Sequence, residues 1–145
     1  MSVAAFVKFN SFVEAVAEKA HNLGADSLKV LLTNTAPNVS TATKYADISA
    51  SQVASGAGYT TGGTAASITS SAQSGGTYKL VLGDVVFTAT GAMGPFRYAV
   101  LYNDTDATTP KGLIGYWDNG TSVTLANTET FTVDYDPTTG VLTLV

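Results

Sequence analysis

The chain contains no cysteine, which excludes disulfides and thiolate-held metals. It has one histidine and one tryptophan, and only 12% of its residues are charged. Seven Lys and Arg stand against eleven Asp and Glu, for a net charge of −4. A nucleic-acid binder draws most of its affinity from a basic stripe. The few cations here are scattered, so no nucleic-acid role is expected. No apolar run approaches the ~20 residues of a membrane helix, and no membrane partner is expected. No Gly-x-Ser-x-Gly elbow, Walker loop or paired-carboxylate motif occurs. Nucleophilic catalysis needs a base beside the nucleophile, and the single His21 has no such neighbour in sequence. The expectation is a protein that is not an enzyme and holds no cofactor or metal. The opening Met1-Ser2-Val3-Ala4-Ala5-Phe6-Val7-Lys8 has no basic n-region or apolar h-region. It points to synthesis in a cytoplasm, with exit only inside a particle or by lysis.

What is present is small and neutral. Hydrophobic residues make up 45% of the chain and glycine numbers 14, while Thr, Ser and Ala fill much of the rest. Depletion of charge fits a surface partly covered by other subunits, or equally an extracellular β-domain with a neutral polar surface. A single domain of 145 residues buries roughly 70% of the surface its unfolded chain exposes, enough for a core without staples.

The pattern centres on the run 96–102, Phe-Arg-Tyr-Ala-Val-Leu-Tyr. It is bounded by the turn signals Gly94-Pro95 and Asn103-Asp104. Alternation puts Phe96, Tyr98, Val100 and Tyr102 on one face and Arg97, Ala99 and Leu101 on the other. Both faces are largely apolar, so the run reads as an interior strand covered on two sides. Residues 1–9 are a possible arm or short strand. One helix is expected over 11–24. Ser11 and Glu14 form an S-x-x-E capping box, and Gly24 closes it. Its apolar arc of about 140° holds Phe12, Val13, Val16, Ala17, Ala20 and Leu23.

Strands are expected over 27–34, 77–82, 85–89, 113–118, 121–125, 130–135 and 141–145. Asn119-Gly120 reads as the strongest hairpin turn. Tyr45 and Ile48 anchor an irregular segment. Residues 49–76, rich in Ser, Gly, Thr and Ala, are an extended loop, or an edge segment with one strand over 64–71. The whole is mainly β, a β-sandwich or jelly-roll-like fold with one N-terminal amphipathic helix against a sheet.

Each candidate for chemistry has a structural alternative. Glu14, Glu18 and His21 share a helical face, and Glu-x-x-His is half of a carboxylate di-metal motif. No second helix supplies the other half, so a solvated face is favoured. Asn103, Asp104, Thr105 and Asp106 could offer oxygens to Ca²⁺ but lack EF-hand spacing. A turn is favoured there, as it is for Asp134 and Asp136. Trp117 reads as core. Tyr116 points the other way and could stack on a sugar or a partner. The sequons at Asn38, Asn103 and Asn119 read as chance matches. No catalytic, cofactor-binding or metal residue is assigned, and no interface residue.

Three strings, taken in order, carry a resemblance. The first is Lys8-Phe9-Asn10 through His21-Asn22-Leu23-Gly24 to Leu31-Leu32-Thr33-Asn34-Thr35-Ala36-Pro37. The second runs from Tyr78 to Phe87, and the third is Gly94-Pro95-Phe96-Arg97-Tyr98-Ala99-Val100-Leu101-Tyr102-Asn103. Together they resemble virion structural proteins of tailed bacteriophages, of the capsid decoration or cement type. The likeness covers the chain from about residue 8 onward, apart from 38–76. It implies a β-rich subunit on the outside of the head, often a homotrimer, that bridges major capsid proteins and resists internal DNA pressure. The expected location is the virion surface. No catalytic motif belongs to the family. The alternative is a phage tail or receptor-binding β-module, with carbohydrate as a candidate ligand.

Overall fold

The computed structural model describes residues 5–105 and 111–145. Ten strands and one α-helix occur among them, besides two single 3-10 turns at Tyr45–Asp47 and Ser49–Ser51. In chain order they are β1 (Val7–Lys8), α1 (Asn10–Ala17), β2 (Leu28–Thr33), β3 (Thr64–Ala66), β4 (Ile68–Ser74), β5 (Thr77–Leu82), β6 (Val85–Thr88), β7 (Met93–Asn103), β8 (Leu113–Leu125), β9 (Thr130–Val133) and β10 (Leu142–Leu144). A five-stranded sheet has the order β1-β8-β7-β2-β3. A three-stranded sheet runs β10-β5-β4, and β6 pairs with β9.

The fold is mainly β and sandwich-like, as expected. β7 lies in the middle of the large sheet, antiparallel to β2 and β8. One face of that sheet sends Leu28, Val30, Leu32, Ala99, Leu101, Ile114 and Trp117 into the main core. There they meet Leu80 and Leu82 of β5, Val85 and Phe87 of β6, and Phe131 and Val133 of β9. The opposite face sends Leu31, Val100, Tyr102 and Leu113 into a second core, together with Phe9, Ala42 and Ile48. Alternation therefore feeds two layers from one sheet, and burial of these side chains is the main stabilising term.

Four local expectations are corrected. First, Phe96 packs with Ala99 and Leu101, not with Val100 and Tyr102. The register shifts between Phe96 and Tyr98, and one irregularity reverses the faces of everything beyond it.

Second, Asn119-Gly120 is not a hairpin. β8 runs through it. Tyr98 pairs with Asp118 and Phe96 with Val123, so residues 119–122 oppose only Arg97 in a wide bulge. Gly120 supplies the φ of +88° that the bulge requires. Gly94-Pro95, expected as a turn, lies inside β7 and its peptide bond is cis.

Third, the helix spans Asn10–Ala17 with Phe9 at its N-cap and no side-chain cap bond. The Phe9 N–H donates to the Ile114 carbonyl at 3.1 Å, so strand pairing carries the chain straight into the first turn and the Ser11 box does not form. At the other end the Ala20 N–H reaches the Ala15 carbonyl at 2.8 Å, and the Lys19 N–H reaches that of Val16 at 3.3 Å. This is a Schellman closure with Lys19 at φ +66° in the left-handed position. Gly24 plays no part in it. Val13, placed on the apolar arc, is 54% exposed, whereas Phe12 is buried.

Fourth, 64–71 is not one strand. The chain breaks at Ser67 and passes from β3, on the edge of the large sheet, to β4, on the edge of the three-stranded sheet. The rest of 49–76 is built in. Val53 and Tyr59 are buried, and the β4–β5 hairpin ends at Gly75-Gly76, around which no neighbour lies within 4 Å of an added Cβ. Residues 1–4 of the expected arm lie outside the described residues, and Val7–Lys8 of that arm forms β1.

Candidate functional site

Glu14, Glu18 and His21 do come near one another. Glu14 is in α1, Glu18 caps it, and His21 lies beyond its end. They line a hollow of about 210 Å³ with Ser11, Thr43 and Leu113. Their arrangement does not converge on a ligand. His21 Nδ1 lies 3.0 Å from Asn103 Nδ2, and its ring packs on Phe12 at 5.4 Å. Asn103 is fully buried. Its amide also donates to Asp26 Oδ2 at 2.6 Å, and its Oδ1 accepts from the Thr105 N–H at 2.9 Å. His21 is thus one post of a half-buried polar clamp around the buried Asn103 at the end of β7. Among the described residues, no three His, Asp or Glu gather closely enough to hold a metal ion.

The described start of the acidic loop after β7, Asp104 and Thr105, is a bend in which the Thr105 N–H donates to Asn103 Oδ1. Asp104 sits between Lys29 at 3.2 Å and Lys111 at 2.9 Å. Burial raises its pKa, but the bonds from Lys111 and Lys29 outweigh this and leave the carboxyl below its ordinary value. Two lysines hold the oxygens that a Ca²⁺ would need. Asp106 lies outside the described residues. Asp136 accepts from the Thr138 N–H at 2.7 Å in an Asx turn, and Asp134 beside it is exposed.

Trp117 is buried between Phe6 and Tyr135, both with ring centroids at 5.1 Å. Tyr116 is half-buried against Phe9 and Tyr98, so much of its ring is spent on packing. The sequon at Asn103 is sealed in the core. Asn38 and Asn119 turn their side chains to their own loops, meeting the Ser40 N–H and the Thr121 carbonyl.

Two further constellations stand out, the first without any signal in sequence spacing and the second already written in the composition of the chain. Gln52 gathers four partners. Its Oε1 accepts from Tyr59 Oη at 3.1 Å and the Gly62 N–H at 2.8 Å. Its Nε2 donates to Tyr45 Oη at 2.8 Å and the Ser49 carbonyl at 2.9 Å. A second is an uncharged surface. Residues 48–78 contain no Asp, Glu, Lys, Arg or His, and within them Thr69, Ser70, Ala72, Gln73 and Ser74 of β4 are exposed.

No helix among the described residues is long and apolar enough to cross a membrane. Compared with protein families, with curated proteins and with solved structures, the chain matches none.

Proposed function

We propose that the chain is a capsid decoration (cement) protein. It binds the outer surface of a tailed-phage head and stabilises contacts between major capsid proteins. On this reading it is made in the host cytoplasm, resides on the virion, performs no chemistry and self-associates, the resemblance implying a trimer. The supporting observation is where the polar groups go. Asp104, Asp118 and Asp136 are committed to ion pairs or turns, while the exposed part of 48–78 offers neutral, small side chains for close contact. Such a surface suits broad adhesion more than capture of a small ligand.

The test is copy number. A decoration protein is abundant in purified virions when its gel band is scaled to the major capsid band, and particles lacking it lose heat or osmotic resistance. Virions without it end the proposal. A few copies per particle, with adsorption lost on Tyr116→Ala, would instead identify a tail or receptor-binding module.

A further inference from the structure

We propose that Asn119 is a self-modification site, converted to aspartate and isoaspartate through a succinimide with Gly120, and that the ion pair of Arg97 with Asp118 sets the rate. Asn119-Gly120 is the one Asn-Gly pair in the chain. Glycine has no side chain to shield its amide nitrogen, so it is the neighbour that closes this ring most readily. Gly120 is exposed, and nothing lies within 4 Å of a Cβ added to it. The pair sits in the wide bulge of β8, where 119–122 oppose only Arg97, so no ladder partner holds the backbone against ring closure. Isoaspartate adds one atom to the main chain. A bulge absorbs that atom where a regular strand would lose register.

The reaction needs only water. The Gly120 nitrogen gives its proton to solvent, and its electron pair attacks Asn119 Cγ. The Cγ–Nδ2 bond breaks, and Nδ2 takes a proton and leaves as ammonia. Water then opens the ring. Cleavage between the nitrogen and Cγ gives aspartate, and cleavage between the nitrogen and the main-chain carbonyl carbon gives isoaspartate. The sum is asparagine plus water to acid plus ammonia.

Two bonds restrain it in the closed bulge. The Gly120 N–H donates to Asp118 Oδ1 at 2.8 Å, and that carboxylate opposes negative charge building on the nitrogen. Asn119 Nδ2 donates to the Thr121 carbonyl at 3.1 Å, which tethers the side chain. Arg97 fixes Asp118 through bonds of 2.7 and 3.0 Å. Reaction therefore proceeds from a locally opened bulge. Each event leaves a permanent negative charge beside Asp118, so an opening that has reacted cannot be undone. The decoration role neither requires this reaction nor is tested by it.

The test is peptide mapping by mass spectrometry of the full chain aged in mildly alkaline buffer, with aspartate and isoaspartate scored at position 119. The folded parent is expected to convert, but roughly tenfold or more slowly than the same chain unfolded in guanidinium chloride. Asp118→Ala, kept where circular dichroism shows it folded, should convert several times faster than the parent. Leu80→Ala, a core truncation in β5 of the other sheet, should keep the parent's rate while folded, which separates the ion pair from global stability. Asn119→Gln, whose longer side chain closes a less favourable ring, should stay unmodified. No conversion in the parent, conversion as fast as in the unfolded chain, a rate unmoved or lowered by Asp118→Ala, or equal acceleration by Leu80→Ala overturns the inference.

Discussion

Arg97 and Asp118 clasp the two strands beside the β8 bulge. Arg97 Nε donates to Asp118 Oδ1 at 2.7 Å, and Nη2 donates to Oδ2 at 3.0 Å. Asp118 Oδ1 also accepts from the Gly120 N–H at 2.8 Å. One carboxylate thus ties the neighbouring strand and the bulge's own backbone. The bonds from Arg97, then from Gly120, hold its pKa below the ordinary value of 3.8. A depressed carboxyl adds stability above its unfolded value and loses it as pH falls through the folded one. Asp118→Asn should therefore melt lower than the parent at pH 7, and the gap should close as pH drops below that of an ordinary aspartate. Both side chains are 39% exposed, so the gap should also shrink in high salt. Melting curves by circular dichroism over acid pH check both points. A gap that is constant with pH removes the charge from the account.

Lys19 holds a left-handed conformation that glycine adopts freely. Lys19→Gly should raise stability by about 0.5 kcal/mol, the relief of strain exceeding the extra freedom of the unfolded chain. Gly24→Ala should stay within about 1 kcal/mol of the parent, since Gly24 has no left-handed φ and an added methyl meets Ser71 Oγ at 3.2 Å. Urea midpoints rank the two. If Gly24→Ala proves the more damaging of the pair, the helix closure described above is misplaced.

Gln52→Leu should cost about 2–3 kcal/mol, because it strands several buried or half-buried polar groups at once. The Gly62 N–H and the Tyr59 and Tyr45 hydroxyls all lose a partner. The damage should be local as well as global. Amide exchange in 59–63 should accelerate more than in β7. Equal protection in the parent and the variant would show that Gln52 does not order this segment.

Burial raises the pKa of three tyrosines, Tyr59 to about 12 and Tyr102 and Tyr135 further. A raised value means that the protonated form is the stabilising one. Its contribution is complete below the ordinary value near 10 and is lost as pH climbs through the folded value. These three should ionise late, their absorbance near 295 nm rising only above the ordinary range. That rise should coincide with loss of near-ultraviolet circular dichroism. Ionisation of these three at ordinary pH would mean that their hydroxyls are not enclosed.

Where alternation was uninterrupted, the sequence was readable. Leu28, Val30 and Leu32 against Leu31 and Lys29, and Phe131, Val133 and Tyr135 together, fall where period two puts them. Failures sit where a non-local contact overrides a local preference. Asn-Gly suits a hairpin and a bulge alike, because both need positive φ. Only the pairing of β7 with the far half of β8 decides between them. Ala20 and Leu23 continue a helical apolar period, yet they reach the core from the turns after Lys19. The candidate site was legible only as three residue types. That His21 would be held beside a buried Asn103, eighty-two positions away, has no counterpart in spacing.

The open tip at Gly75-Gly76 has a practical corollary. Both residues take left-handed φ values of +57° and +83°, and nothing lies within 4 Å of a Cβ added at either. A short epitope spliced between them would extend the hairpin away from both cores, leaving β4 and β5 in register. Each molecule would then carry a foreign label at a defined height above its own surface, ready for antibody counting.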